Sequence, residues 1–503
     1  MAFNKKTHLR DNIEAIRIAF DLDNDGRTAT SSERESLEAY SGFGGIKAVL
    51  SPAGKPEDVQ YWTKTDSELF PLVAELHGIL RSGSENTAEY NRYVSSLKNS
   101  VLSAFYTPPK VVDALAAALH ESGITPVRLL DPSAGTGIFS QAVKLMAPGC
   151  EAIQFEKDLL TGKILSHLNP TENVRVEGFE NIEPRYNGYF DVAVSNIPFG
   201  DVRIFDPVYH NAKDDAHRLA SGTIHNYFFM KGVDCIREGG LVAFITSQGV
   251  LNSEANRPVR EWLMERCDPV SVVRFPNNLF TDHAGTEVGS DLIILQKKMQ
   301  VGELTQKQQD FIESRKLSNG ISINNLFRNF DRVIQTDVKV GTDPYGKPAM
   351  EFSHSGGVSS IAAELRGMLR EDFSQHLNVE LYQSHAPQLG HSAGQGMGYQ
   401  PTAQDWQEMG EMIEAGKERE QELFMQSQPE DFSERKSTAQ EDWEENRLTF
   451  DDVLSEDDLS SEREKEQQEQ QPENNNQTQP DEVRYPDDLD PFWQDIEDHF
   501  FPD

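Results

Sequence analysis

Two periodicities divide the chain. From Asp11 to about Ser103, apolar residues recur at helical spacing. Ile13, Ile16, Ile18 and Phe20 form one set, and Leu69, Leu72, Val73, Leu76 and Leu80 form another, so amphipathic helices are expected. Between them, Ser41-Gly42-Phe43-Gly44-Gly45 predicts a glycine turn. From Val101 to about Lys298 the pattern becomes short apolar runs separated by helical stretches. The runs at 128–130, 152–155, 174–176, 191–195, 241–246, 271–275 and 291–296 predict seven strands. Helices between the first five imply a mostly parallel sheet covered on both faces; the last two, with no helix between them, should pair antiparallel. From Val301 to about Gln400 the signal weakens to one hairpin around Asp343-Pro344-Tyr345-Gly346 and one helix over 359–370. After Gln400, Glu, Asp, Gln, Ser and Asn dominate, and such a composition buries too little surface to offset its ordering entropy. The expected division is a helical region at 1–100, an α/β domain at 101–300, a small mixed α/β extension at 301–400 and a disordered acidic tail at 401–503.

Composition sharpens this division. Only 37% of the 503 residues are hydrophobic, which is low for a chain folded throughout. The net charge of −36 argues against nucleic-acid binding until it is divided by position. Residues 401–503 carry roughly 33 acidic and 8 basic side chains, so most of the excess belongs to the tail. The three cysteines, Cys150, Cys235 and Cys267, form no CxxC and suggest neither a disulfide framework nor a zinc site. Met1 to Arg10 lacks an apolar signal core, and no apolar run approaches ~18 residues. A soluble, reducing, cytoplasmic setting without a membrane partner is expected.

Two motifs carry chemistry. Asp131-Pro132-Ser133-Ala134-Gly135-Thr136-Gly137 follows an apolar run and reads as a strand, a tight turn and a helix, with glycines that let backbone approach a nucleotide-like ligand. Ser195-Asn196-Ile197-Pro198-Phe199-Gly200 ends another strand and offers an amide, a carbonyl and an aromatic ring, the equipment for holding an exocyclic amine. Asp21, Asp23, Asp25 and Gly26 imitate the opening of a calcium loop. The twelfth position is Ser32 rather than the bidentate Glu, so a turn between helices is the better reading and no metal is expected.

In their order, Phe105-Tyr106-Thr107-Pro108-Pro109, DPSAGTG, Phe155-Glu156-Lys157-Asp158 and SNIPFG resemble the γ-class N6-adenine DNA methyltransferases. The details AFYTPPKVVDAL, EKDLLTGKIL, IHNYFF and AGTEVGSDLIILQKK look closer to the methylases of bacterial mobile elements, often fused to a helicase; no GxxxxGK[ST] occurs here. The resemblance implies the seven-stranded class I S-adenosylmethionine-dependent methyltransferase fold and a place in restriction-modification. It also implies DNA as partner and S-adenosylmethionine as cofactor. Thr107, Asp131, Ser133, Gly135 and Gly137 would then line the cofactor pocket. Glu156, or its neighbour Asp158, would bind the ribose hydroxyls, and Glu180 the adenine amine. Asn196 and the Ile197 carbonyl would accept bonds from the target amine, with Pro198 shaping the turn and Phe199 stacking on the flipped base. Phe280, near Gly285-Thr286-Glu287-Val288, would cover its other face. The family has Pro where this chain has Ile197; since only the carbonyl is used, Ile197→Pro is expected to be tolerated.

Other acceptors stay open: RNA adenine, a protein glutamine amide, or none at all in a non-catalytic DNA-associated, anti-restriction protein. Near the C-terminus, Leu489, Phe492 or Trp493, Ile496 and Phe500 share one helical face, which predicts a helix that docks on a protein partner or on a basic groove of this chain; a sticky tail left by truncation of a longer chain is the alternative reading.

Overall fold

The computed structural model describes residues 4–385, except 201, 282–286, 318–319 and 343–347. The expected tail, its docking helix, the turn at 343–346 and residues Gly285 and Thr286 lie outside the described residues.

The helical pattern at the start becomes four helices, α1 (Lys5–Asp25), α2 (Ser31–Glu38), α3 (Phe70–Ser82) and α4 (Thr87–Ser103). Their ends follow local chemistry. Asn4 caps α1 through the Thr7 amide, Gly26 closes it in the left-handed region, and Thr30 and Glu33 form a reciprocal capping box on α2. The acidic run at the end of α1 is helical, and Asp23 pairs with Lys163 and, at 2.8 Å, with His167. The apolar faces of these helices share one cluster with Leu160, Ile164 and Leu168 of helix α7 (Leu159–Leu168), so the region is fused to the sheet layer through that helix.

Seven strands form the central sheet: β1 (Arg128–Asp131), β2 (Glu151–Phe155), β3 (Asn173–Arg175), β4 (Phe190–Asn196), β5 (Ile236–Ser247), β6 (Cys267–Arg274) and β7 (Ser290–Lys297). Their order is 3-2-1-4-5-7-6, with only β7 antiparallel to its neighbours. This is the arrangement of the class I S-adenosylmethionine-dependent methyltransferases. Alternation of side chains across the strands gives two cores. Val192, Val194, Leu241, Ala243 and Ile245 face one, while Ala193, Val242 and Phe244 face the other. Helices α5 (Pro109–Glu121) and α6 (Ile138–Met146) cover the first face.

One expectation changes. Strand β5 begins five residues before the predicted start, because Gly239 in the left-handed region bends the chain without ending the strand. In the region expected to be a small extension, helix Gly357–His376 lays Ile361, Leu365, Leu369 and Phe373 into the first core beside α5. Antiparallel strands β8 (Asp337–Thr342) and β9 (Pro348–Ser353) flank the expected hairpin turn. The three cysteines are buried thiols, no described helix is long and apolar enough to cross a membrane, and no metal-binding cluster occurs among the described residues.

Candidate active site

Strand order reverses between β1 and β4, and the crevice beyond their carboxyl ends is where open α/β sheets bind ligands. Asp131 ends β1 and Asn196 ends β4, so the two sequence motifs meet there. The Ser195 hydroxyl couples them, lying 2.8 Å from Asp131 Oδ1 and 3.0 Å from the Ser133 carbonyl. Asp131 is fully buried, and burial pushes its carboxyl up to about 7 despite help from Ser195.

The glycine loop is shaped by what it touches. Gly135 has φ +56°, and a Cβ there would sit 2.8 Å from the Tyr106 ring. Its amide donates to Glu156 Oε2 at 2.9 Å, while the Asp158 amide donates to Oε1 at 2.8 Å. Burial, followed by repulsion from Asp158, pushes the Glu156 carboxyl up to about 8. Asp158 is committed elsewhere: it caps α7 through the Thr161 amide at 2.8 Å and accepts from Ser96 on α4. Of the two carboxylates, Glu156 is therefore the one that borders the loop. Gly137 caps α6 in the left-handed region, where a Cβ would crowd Asn169 and Leu165. Thr107 is buried with no partner for its Oγ1 among the described residues. Glu180 sits on the turn after β3, folded over Gly178 and paired with Lys157 at 2.7 Å.

At the second motif, Asn196 Nδ2 donates to the Phe105 carbonyl at 2.8 Å. That bond sets the amide plane and leaves Oδ1 buried without a donor among the described residues. Pro198 and Phe199 are half-buried at the crevice. Ile197 is buried in the second core, and its amide donates to the Ile245 carbonyl at 3.0 Å. Proline there would remove this bond and part of the packing, so the expected tolerance of Ile197→Pro is corrected. The variant should lose about 1–3 kcal/mol, read as a lower denaturant midpoint at unchanged slope.

Phe280 is likewise corrected. It is 0% exposed and packs with Phe275, Leu279 and Ile334 in the first core, so its ring has no open face for a base.

Buried carboxylates give the protein a pH signature. Asp131 and Glu156 have folded-state values raised above their unfolded ones, so the stability they allow at low pH is lost as pH climbs toward 7 and 8. His77 and His225, pushed down to about 4 by burial, act oppositely, but only between 4 and the ordinary histidine value near 6.5. Between pH 6.5 and 8.5 the thermal midpoint of the ligand-free protein should therefore fall. Glu156→Gln should flatten that fall, and an equal slope in the variant would contradict the assignment.

Sequence reading missed the partners that orient these groups. The Phe105 carbonyl and the Ser195 hydroxyl lay inside the quoted motifs without a role. Tyr106 borders Gly135, and its own segment is approached by the Ser41–Gly45 turn, where a Cβ on Gly44 would meet the Ala104 carbonyl at 2.5 Å. The turn is held by Asn12, whose Oδ1 takes the Ser41 amide at 2.9 Å, and by Ser100, whose Oγ takes the Phe43 amide. Gln154, fully buried on β2 with neither amide atom partnered among the described residues, gave no signal in sequence.

Comparison with known proteins bears on what such a crevice does. Residues 168–368 match the model of the N-6 DNA Methylase family, consistent with the N6-adenine DNA methyltransferases. The match includes Glu180 and Asn196–Phe199 and starts after the glycine loop. A curated relative, Defense against restriction protein B of Escherichia phage P1, is 24% identical over 299 residues. That alignment takes in 58% of this chain and 10% of the phage protein, so the chain spans about a tenth of that relative's length. Among solved structures, one is a Listeria monocytogenes protein assigned to the class I S-adenosylmethionine-dependent methyltransferases. It is 16% identical at TM-score 0.36, covering 73% of this chain and 99% of that one. The methyltransferase subunit of a type I restriction-modification system from Streptococcus thermophilus is 15% identical at TM-score 0.31, covering 58% and 78%.

Proposed function

We propose that this chain transfers a methyl group from S-adenosylmethionine to N6 of adenine in DNA. The family match supports a methyltransferase acting on DNA; the adenine acceptor and the S-adenosylmethionine donor are what the resemblance of the motifs implies, and the site's geometry is compatible with both. The observation that carries the reading is Asn196, whose Nδ2 is tied to the Phe105 carbonyl while its buried Oδ1, beside the glycine loop, has no donor among the described residues. A buried acceptor without a partner is costly, and an amine hydrogen would satisfy it.

The residues present fit the cofactor. Bound in the crevice, it supplies an electrophilic methyl on a cationic sulfonium. Asp131 and Glu156, whose carboxyls burial pushes up, are suited to receive a ligand whose ammonium group and hydroxyl donors would favour their ionised forms. Gly135 and Gly137 leave backbone where side chains would obstruct it, Thr107 Oγ1 offers a hydroxyl without a partner among the described residues, and Glu180 would face the adenine end. Asn196 Oδ1 and the Ile197 carbonyl would accept the two amine hydrogens, turning the nitrogen lone pair toward the methyl. Neither group has to ionise, so no histidine base is needed. Phe199 would stack on the extruded base, an interaction worth ~1–3 kcal/mol.

Incubation of the full chain with tritiated S-adenosylmethionine and DNA, RNA or protein tests the reading. Label in DNA, recovered as N6-methyladenine, is expected. Label only in RNA or in protein glutamine would keep the chemistry and change the acceptor. No transfer, with retained DNA binding, would leave a non-catalytic role such as the anti-restriction function that the phage relative's name describes.

A further inference from the structure

The glycine turn Ser41–Gly45 has no part in the chemistry above, yet it rests on the segment that orients Asn196. Residues 104–108, between α4 and α5, are neither helix nor strand, so their placement depends on what packs against them. Within this segment the Phe105 carbonyl accepts from Asn196 Nδ2 at 2.8 Å. The next residue, Tyr106, has its ring beside Gly135 of the glycine loop. The turn meets the same segment at two points. A Cβ at Gly42 would come within 2.6 Å of the Ala104 side chain, and one at Gly44 within 2.5 Å of the Ala104 carbonyl oxygen.

Backbone conformation accounts for the glycines at 42 and 45, where φ is +70° and +72°. It does not account for Gly44, whose φ lies outside the left-handed region. Proximity alone requires glycine there. An alanine methyl would stand roughly 1 Å inside ordinary contact with the Ala104 oxygen. That oxygen belongs to the planar peptide joining Ala104 to Phe105, so displacing it turns the unit that carries Phe105. The turn is braced against yielding instead. Asn12, buried on α1, accepts the Ser41 amide at 2.9 Å and donates Nδ2 to the Gly42 carbonyl, while Ser100 Oγ accepts the Phe43 amide at 3.0 Å. Phe43 itself is fully buried in the core of the helical region.

We infer that the Ser41–Gly45 turn sets the position of the Asn196 amide during methyl transfer; this rests on the reading above. By fixing Ala104 the turn fixes the Phe105 carbonyl, and that carbonyl holds Asn196 with Oδ1 toward the substrate amine. Gly44 is then a positioning residue, and the N-terminal helices belong to the catalytic apparatus through the turn they brace. A misplacement of about 1 Å at a reacting group can cost ~100-fold in rate, so a contact this close to the Asn196 partner has leverage on the chemistry.

The test is a double-mutant cycle in the full chain, read by single-turnover methyl transfer to DNA and by calorimetric titration with S-adenosylmethionine. Gly44→Ala should slow transfer by roughly tenfold or more. Its S-adenosylmethionine affinity should stay within about threefold of wild type, because the atoms nearest the new methyl are all those of Ala104. In the Asn196→Ala background the same substitution should slow transfer by no more than about twofold, since the amide it displaces is gone. Ser100→Ala takes one bond from the turn without adding bulk, and keeps the cycle usable should Gly44→Ala not fold. It should slow transfer by roughly threefold or more in the wild type and, again, hardly at all without Asn196. Equal losses in the two backgrounds, or no loss from either substitution in the wild type, would overturn the positioning role and leave the methyltransferase reading standing. Absence of transfer by the wild type to any DNA would overturn that reading, and the positioning role with it.

Discussion

Asn196→Ala is expected to lower methyl transfer by roughly a hundredfold or more, the scale on which loss of one preorganised polar contact to a reacting group acts. Cofactor affinity should stay close to wild type, because Asn196 is bonded to the Phe105 carbonyl and not to the glycine loop. Steady-state transfer and calorimetric titration with S-adenosylmethionine provide the two readouts. A drop in affinity equal to the drop in rate, in a folded variant, would place Asn196 in the donor pocket and sink the assignment. Asn196→Asp is a useful companion. It keeps the acceptor oxygen and loses the donor to Phe105, so partial activity would separate accepting from orienting.

The second large effect is expected at Glu156. Replacement by alanine removes the acceptor for the Gly135 amide and, on the proposed reading, the ribose ligand together, and should weaken S-adenosylmethionine binding by roughly 10- to 100-fold, the equivalent of about 1.5–3 kcal/mol. Asp158→Ala should behave differently. It removes the α7 cap and the bond from Ser96, so it should cost about 0.5–2 kcal/mol of stability with a smaller change in affinity. Calorimetry and thermal melts on both variants check this split. The reverse outcome, with affinity lost at Asp158 and stability at Glu156, would exchange the two roles.

Much of the architecture was legible because its causes are local. A strand buried on both faces is a short apolar run wherever it lies, and a glycine turn before a helix needs no distant partner. The seven strands therefore emerged within a few residues of their ends, except β5, where Gly239 and Gly240 resemble a terminator until their backbone conformation is known. Phe280 shows the limit. An aromatic residue in a loop between strands has the same sequence signature whether it faces a ligand or the core, and the difference lies in what packs around it.

The sequence alone determined which residues could do chemistry and along which strand ends they fall: Asp131, Gly135, Glu156 and Asn196 at the ends of consecutive elements in a parallel sheet. Tertiary structure decided which atoms are left to do it. The Phe105 carbonyl, 91 residues from Asn196, takes one end of its amide and leaves the other; Ser96, 62 residues from Asp158, draws that carboxylate away from the loop. Hydrogen-bond capacity is shared out among neighbours in space, and a pattern read along the chain holds no record of who those neighbours are.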